Sequence, residues 1–174
     1  MKQDKKTKII TMTAMLLSLI IVLSIFESML PSFPFLPPGV KLGLSNTVIM
    51  YSLFFTTKKS AFFLALLKSF FSFMTIGFVA FALSLSGGIA SILIMIFLTA
   101  VFKDKISLLI LSIFGAIFHN IGQIAAYMLL LGDTNILCYL SVLIISGIIM
   151  GSITGTVLKL ILPAFNRIFT KNSD

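Results

Sequence analysis

An all-α integral membrane protein is the fold class this sequence predicts: six transmembrane helices in one membrane domain over residues 1–174, with both termini cytoplasmic. Three observations predict it. First, 59% of the 174 residues are hydrophobic, 13 are basic and only 5 acidic, and the mean hydropathy is +1.16. A soluble domain carries about 25% charged and 45–50% apolar residues, so a soluble globule of this composition would lack a polar surface. Second, apolar runs bounded by charge or turn residues recur at 9–30, 42–56, 61–78, 79–102, 106–131 and 136–162. Because about 20 apolar residues cross one bilayer, six crossings use roughly 120 positions and leave only short connections. Third, the basic residues fall on one side of the resulting path.

The first run follows Lys2, Lys5, Lys6 and Lys8. It is too long for a secretory signal and has no small-residue cleavage site, so it is expected to be a retained span. The connection after it, Pro31-Ser32-Phe33-Pro34-Phe35-Leu36-Pro37-Pro38-Gly39, cannot be helical, because proline lacks the donor and clashes with the preceding turn. Non-helical apolar backbone at membrane depth is tolerated only against protein or a watery cavity. Residues 31–41 are therefore expected to fold over the outer mouth of the bundle as a lid. The second run is short, with 15 residues making roughly 22 Å of helix.

Lys58 and Lys59 join the second and third runs, Lys103 and Lys105 the fourth and fifth, and Arg167 and Lys171 follow the sixth. With the N-terminal lysines they share one side of an alternating path, while the other side holds Lys41 and Asp133. The positive-inside rule makes the basic side cytoplasmic. The net charge of +8 is thus read as orientation charge, and no nucleic-acid partner is expected, because the basic residues do not form a stripe on one folded face. Cys138 is the single cysteine, so there is neither an internal disulfide nor a thiolate cluster.

Two series of small residues stand at four-residue spacing: Gly147, Gly151 and Gly155 on the last helix, and Ala80, Ser84 and Gly88 on the fourth. Such stripes let backbones approach closely, and intramolecular packing is the expected use of both. Ala14 and Ser18 form a shorter stripe on the first helix, open either to packing or to a partner subunit.

Polar side chains in a bilayer are costly and face the bundle interior or a cavity. The alternating path puts Glu27, Lys41, Asn46 and Ser84 in the outer half, and Lys68 and His119 near the midplane. His119, Asn120 and Gln123 lie within about one turn of each other on the fifth helix. The common depth makes Lys41, Asn46, Lys68, Ser84, His119, Asn120 and Gln123 the candidate substrate-binding residues, below the expected lid. Lys68 either neutralises Glu27 or contacts ligand. One histidine without acidic or thiol neighbours is a poor metal site, so neither metal nor cofactor is expected.

The stretches Leu36-Pro37-Pro38-Gly39-Val40-Lys41-Leu42-Gly43-Leu44-Ser45-Asn46, Leu83-Ser84-Leu85-Ser86-Gly87-Gly88 and Gly115-Ala116-Ile117-Phe118-His119-Asn120-Ile121-Gly122-Gln123 resemble a bacterial family. It is the one labelled heptaprenyl diphosphate synthase component I, or Gx transporter. That family is in turn similar to the substrate-binding S components of energy-coupling factor transporters. The resemblance spans essentially the whole chain. It implies an S-component-like bundle with an outward-facing pocket, and a transmembrane coupling subunit driven by cytoplasmic ATPases and contacted by Ala14 and Ser18. At the third-helix basic position the relatives carry arginine and this chain Lys68, which keeps the charge without the bidentate fork. The chain has no Walker A pattern of its own.

Two function classes follow. One is a subunit of the cell membrane that takes up a small, largely apolar molecule. The other is an accessory component of heptaprenyl diphosphate (quinone side-chain) synthesis, or of a quinone-related electron-transfer system. Prenyl transfer needs magnesium held by carboxylates, yet Asp4, Glu27, Asp104, Asp133 and Asp174 form no aspartate-rich motif. A stand-alone enzyme is therefore not expected.

Overall fold

The computed structural model describes residues 2–29, 43–103, 106–132 and 134–170. Among them are six α-helices and no strand: α1 (Lys2–Met29), α2 (Leu44–Phe55), α3 (Lys58–Thr75), α4 (Phe78–Phe102), α5 (Leu108–Leu131) and α6 (Leu140–Thr170), with a 3-10 turn at Asn135–Tyr139 before α6. The expected lid at 31–41, with Lys41, lies outside the described residues.

Helix ends depart from the apolar runs where local chemistry overrides hydropathy. α1 extends back to Lys2, because lysine is a good helix former whatever its charge. The side chain of Thr57 accepts a bond from the backbone of Ser60 at 3.0 Å, and this cap starts α3 at Lys58 rather than at residue 61. Ser107 caps α5 in the same way through Ile110, at 3.3 Å. The turn between α3 and α4 falls at Ile76–Gly77, two residues before the expected break. Gly77 adopts φ 121°, a conformation open to glycine and strained for other residues. α6 continues past residue 162, through Pro163, to Thr170.

Among the described residues, four helical segments are long and apolar enough to cross a membrane: Ile9–Met29, Phe78–Phe102, Leu108–Leu131 and Asn135–Leu160. α2, at 12 residues, is about 18 Å long. α3 opens on Lys58 and Lys59 and buries Lys68. The distribution of side chains is inside-out. Ile10, Val22, Leu129 and Leu160 are 60–87% exposed, while Ser45, Ser52 and Ser69 are fully buried. Exposed apolar surface on this scale marks contact with lipid or protein, and with four segments of spanning length it is the pattern of a helical membrane protein.

The strongest packing joins α4 to α5 and α5 to α6, followed by α3 to α4. The short α2 touches α1, α3, α4 and α6, and buries Ser45 and every residue from Val48 to Leu53. It is a central wedge, which explains a helix that is apolar yet too short to span unaided. The dry core lies toward one end, where Leu16, Ile20, Ile49, Leu64, Ile92 and Leu111 meet. The other end of the bundle is hollow.

Candidate functional site

The hollow end holds a cavity of about 350 Å³, bounded by the ends of α1 and α3, the starts of α2 and α4, and the last turns of α5. Its polar lining includes Ser24, Glu27, Asn46, Lys68, Ser72, Ser84, His119, Gln123 and Tyr127, and its apolar wall includes Ile76, Phe78, Val79 and Leu83. Five of the seven sequence-predicted residues, Asn46, Lys68, Ser84, His119 and Gln123, therefore line one space. Asn120 is set apart. It lines a narrow inner chamber of about 40 Å³ that shares Asn46 and His119 with the main cavity.

Several of the polar side chains are positioned by specific bonds. Glu27, buried on α1, reaches the first turn of α2: one carboxylate oxygen accepts from the backbone of Leu44 and, at 3.4 Å, of Ser45, and the other from the Ser45 hydroxyl at 3.3 Å. α2 has no side-chain cap of its own, so Glu27 satisfies its orphan donors from another helix and sets a negative charge against the positive end of its dipole. Lys68 donates to the side-chain oxygen of Asn46. This ties the middle of α3 to the start of α2 across the cavity floor.

His119 and Gln123 pair at 3.2 Å along α5. The imidazole has room only because residue 87 is glycine: a Cβ there would sit 2.8 Å from the ring. Ser84 receives a bond from Ser69 at 3.3 Å, joining α4 to α3. Ser86 donates to the carbonyl of Gly122 at 2.9 Å, joining α4 to α5. Asn120 donates to the carbonyl of Leu143 at 2.8 Å, so its amide fastens α5 to α6.

The sequence reading passed over Ser24, Ser72 and Tyr127. A signal for two of them was present. Ser72 and Tyr127 each stand four residues beyond a named candidate, Lys68 and Gln123, and side chains at that spacing share a helix face. Ser24 continues the inward stripe Leu16, Ile20, and its hydroxyl has no hydrogen-bond partner among the described residues.

Of the partner-binding candidates, Ala14 and Ser18 are both exposed. Ala14 lines an open, mostly apolar groove between α1 and α3 that Ile10, Leu17 and Phe63 also border. Among the described residues no three His, Cys, Asp or Glu side chains gather as a metal site.

No curated protein and no solved structure matches the chain. The family model described as heptaprenyl diphosphate synthase component I does match, over residues 16–161, a stretch that contains every residue of the cavity. That description names a component of a synthase, one part among several. By this match over most of its length, the chain belongs to the heptaprenyl diphosphate synthase component I family.

Proposed function

We propose that the chain is the substrate-binding subunit of a membrane uptake system, similar to the S components of energy-coupling factor transporters, and that it takes up a small, largely apolar molecule. The observation that carries this reading is the cavity itself: polar side chains from α1, α2, α3, α4 and α5 around one 350 Å³ space in a helix bundle. Its size falls at the lower end of the range for small-molecule sites, which are mostly apolar with a few placed polar groups.

Orientation supports the same reading. The cavity sits where α1 ends and α2 begins, whereas the α1 N-terminus, Lys58, Lys59 and Lys103 gather at the opposite end. Six spans with both termini cytoplasmic put the basic end inside and the cavity mouth outside. Energy would come from a coupling subunit with cytoplasmic ATPases, docked on the exposed Ala14 and Ser18 face.

The family description favours a second reading, an accessory role in heptaprenyl diphosphate synthesis. Affinity purification from membranes, with native mass spectrometry of the product, tests the two together. The uptake reading expects one small molecule held by the wild type and lost from Lys68→Met, together with ATPase-linked membrane subunits. Recovery of a soluble prenyltransferase instead, with no bound small molecule, would replace it with the accessory role.

A further inference from the structure

α1 and α3 both start at the basic end of the bundle and run in the same direction, since their far ends, at Glu27 and Ser72, border one cavity. They meet along one face only. Leu16 and Ile20 of α1 and Leu64 and Ala65 of α3 belong to the dry core, whereas Leu17 and Phe63, each one residue away, border the open groove between the two helices. That groove encloses about 520 Å³, more than the polar cavity at the other end. The hydroxyls of Thr13 and Ser60 meet at 3.4 Å and fix the register of the two helices. Ala14 leaves room that a larger side chain would fill, and Ile10 and Phe63, 67% and 53% exposed, stand at its edges.

The groove changes character along its length. At the level of the Thr13–Ser60 contact it is bordered by Lys59, which is exposed and follows the exposed Lys58. Farther from the helix starts it is bordered by Ala14, Leu17, Phe63 and Leu67. Among the described residues its lining holds no carboxylate. α1 approaches it through Lys5, Lys6 and Lys8, with Asp4 the single acid before Ile9. A positive end that leads into an apolar trough complements an anionic lipid, whose phosphate lies at the interface and whose chains point to the midplane; basic pockets between membrane helices hold such head groups.

We infer that the α1–α3 groove holds one anionic diacyl phospholipid of the surrounding bilayer, its phosphate at Lys58 and Lys59 and an acyl chain along Ala14, Leu17, Phe63 and Leu67. The two parts of the lipid contribute differently. An acyl chain gains little by exchanging lipid for protein neighbours, so the groove sets where the lipid lies and the lysines set which lipid it is. Each lysine near the interface is worth roughly a fivefold preference for negative charge, and the pair roughly 30-fold. A partner on the Ala14–Ser18 face would share only the Ala14 edge, because Ser18 does not border the groove. The inference does not rest on the uptake reading.

Phosphatidylglycerol and phosphatidylcholine with identical acyl chains, titrated into the purified protein in neutral detergent and read by native mass spectrometry, test the inference. The wild type should retain one phosphatidylglycerol with roughly 30-fold preference over phosphatidylcholine. Lys59→Gln should cut that preference roughly fivefold and Lys58→Gln with Lys59→Gln should abolish it, whereas Lys103→Gln, an exposed lysine outside the groove lining, should leave it unchanged. Ala14→Phe and Leu67→Phe, which narrow the groove from opposite helices, should each release the lipid with every lysine in place. Equal retention of the two lipids overturns the inference, and so does a loss in Lys103→Gln as large as that in Lys59→Gln, which would mean diffuse surface charge. Retention undiminished in both groove-narrowing variants, or displacement of the lipid by inorganic phosphate at equal concentration, places the anion elsewhere or makes it a soluble one and overturns it too. None of these results bears on the polar cavity.

Discussion

Two stripes of small residues with the same four-residue spacing have opposite fates in this molecule. On α6, Gly147, Gly151 and Gly155 are all buried; on α1, Ala14 and Ser18 are both exposed. The difference lies in the partner. α5 offers the α6 stripe a matching row: a Cβ added at 147, 151 or 155 would come within 3.2, 2.5 or 3.0 Å of the α-carbons of Ile117, Ile113 and Leu109 respectively. That partner row also has a period of four, so ridge fits groove along three turns, and Ser112 bonds Thr154 across the same interface at 2.8 Å. Among the described residues the α1 stripe has no such row closed against it: Ala14 borders an open groove with Phe63 of α3. Ser18 returns its hydroxyl to its own helix, on the carbonyl of Met15 at 2.8 Å. A small-residue stripe therefore marks a capacity for close approach, and the facing helix decides whether it is spent inside the fold.

The largest effect expected from disturbing this contrast is at the closed stripe. Gly151→Leu drives a side chain into the backbone of α5 and should cost about 3 kcal/mol or more, seen as loss of the monodisperse peak or a collapse of the melting temperature in detergent. Next comes the bond between helices that caps α2. Glu27→Ala leaves two backbone N–H groups and the Ser45 hydroxyl without their carboxylate, and hydrogen bonds to charged groups are worth about 1.5–3 kcal/mol. Thermal melting should fall accordingly, whereas Glu27→Gln, which keeps an acceptor oxygen, should recover part of the loss. Asn120→Ala removes one bond between α5 and α6 and should cost about 0.6–1.7 kcal/mol, again read by thermal melting, with a smaller effect on ligand affinity than Gln123→Ala. Smallest in stability is the open stripe: Ala14→Leu or Ser18→Leu should change melting by no more than about 0.5 kcal/mol. Co-purification of a membrane partner should nonetheless be lost. Equal destabilisation by Ala14→Leu and Gly151→Leu would erase the distinction between the two stripes.

Much of the cavity's polar lining was legible before the fold. A polar side chain in an apolar span is so costly that Lys68, His119 and Gln123 stand out by composition alone, and helix periodicity assigns them a depth. What periodicity cannot give is which polar group meets which. The sequence left Lys68 either to neutralise Glu27 or to contact ligand; the structure shows the Glu27 carboxylate accepting from the backbone of α2 and the Lys68 ammonium donating to Asn46. Asn120 and Gln123 looked equivalent, three residues apart on one helix. Only Gln123 borders the main cavity, because the intervening rotation turns Asn120 toward the carbonyl of Leu143 on α6.

The sequence by itself determined the all-helical, apolar character of the chain and the number of its helices among the described residues. Both follow from terms that act locally, the transfer of each side chain from water and the helix's need to satisfy its own backbone. Tertiary structure decided the rest: that α2 is a central wedge, that one end of the bundle is dry and the other hollow, and that α5 and not a partner fills the α6 stripe. Those outcomes depend on which surfaces fit against each other across distant parts of the chain, and inside a membrane that choice comes from packing and hydrogen bonds between helices, because burial against lipid and burial against protein are nearly equal for an apolar side chain.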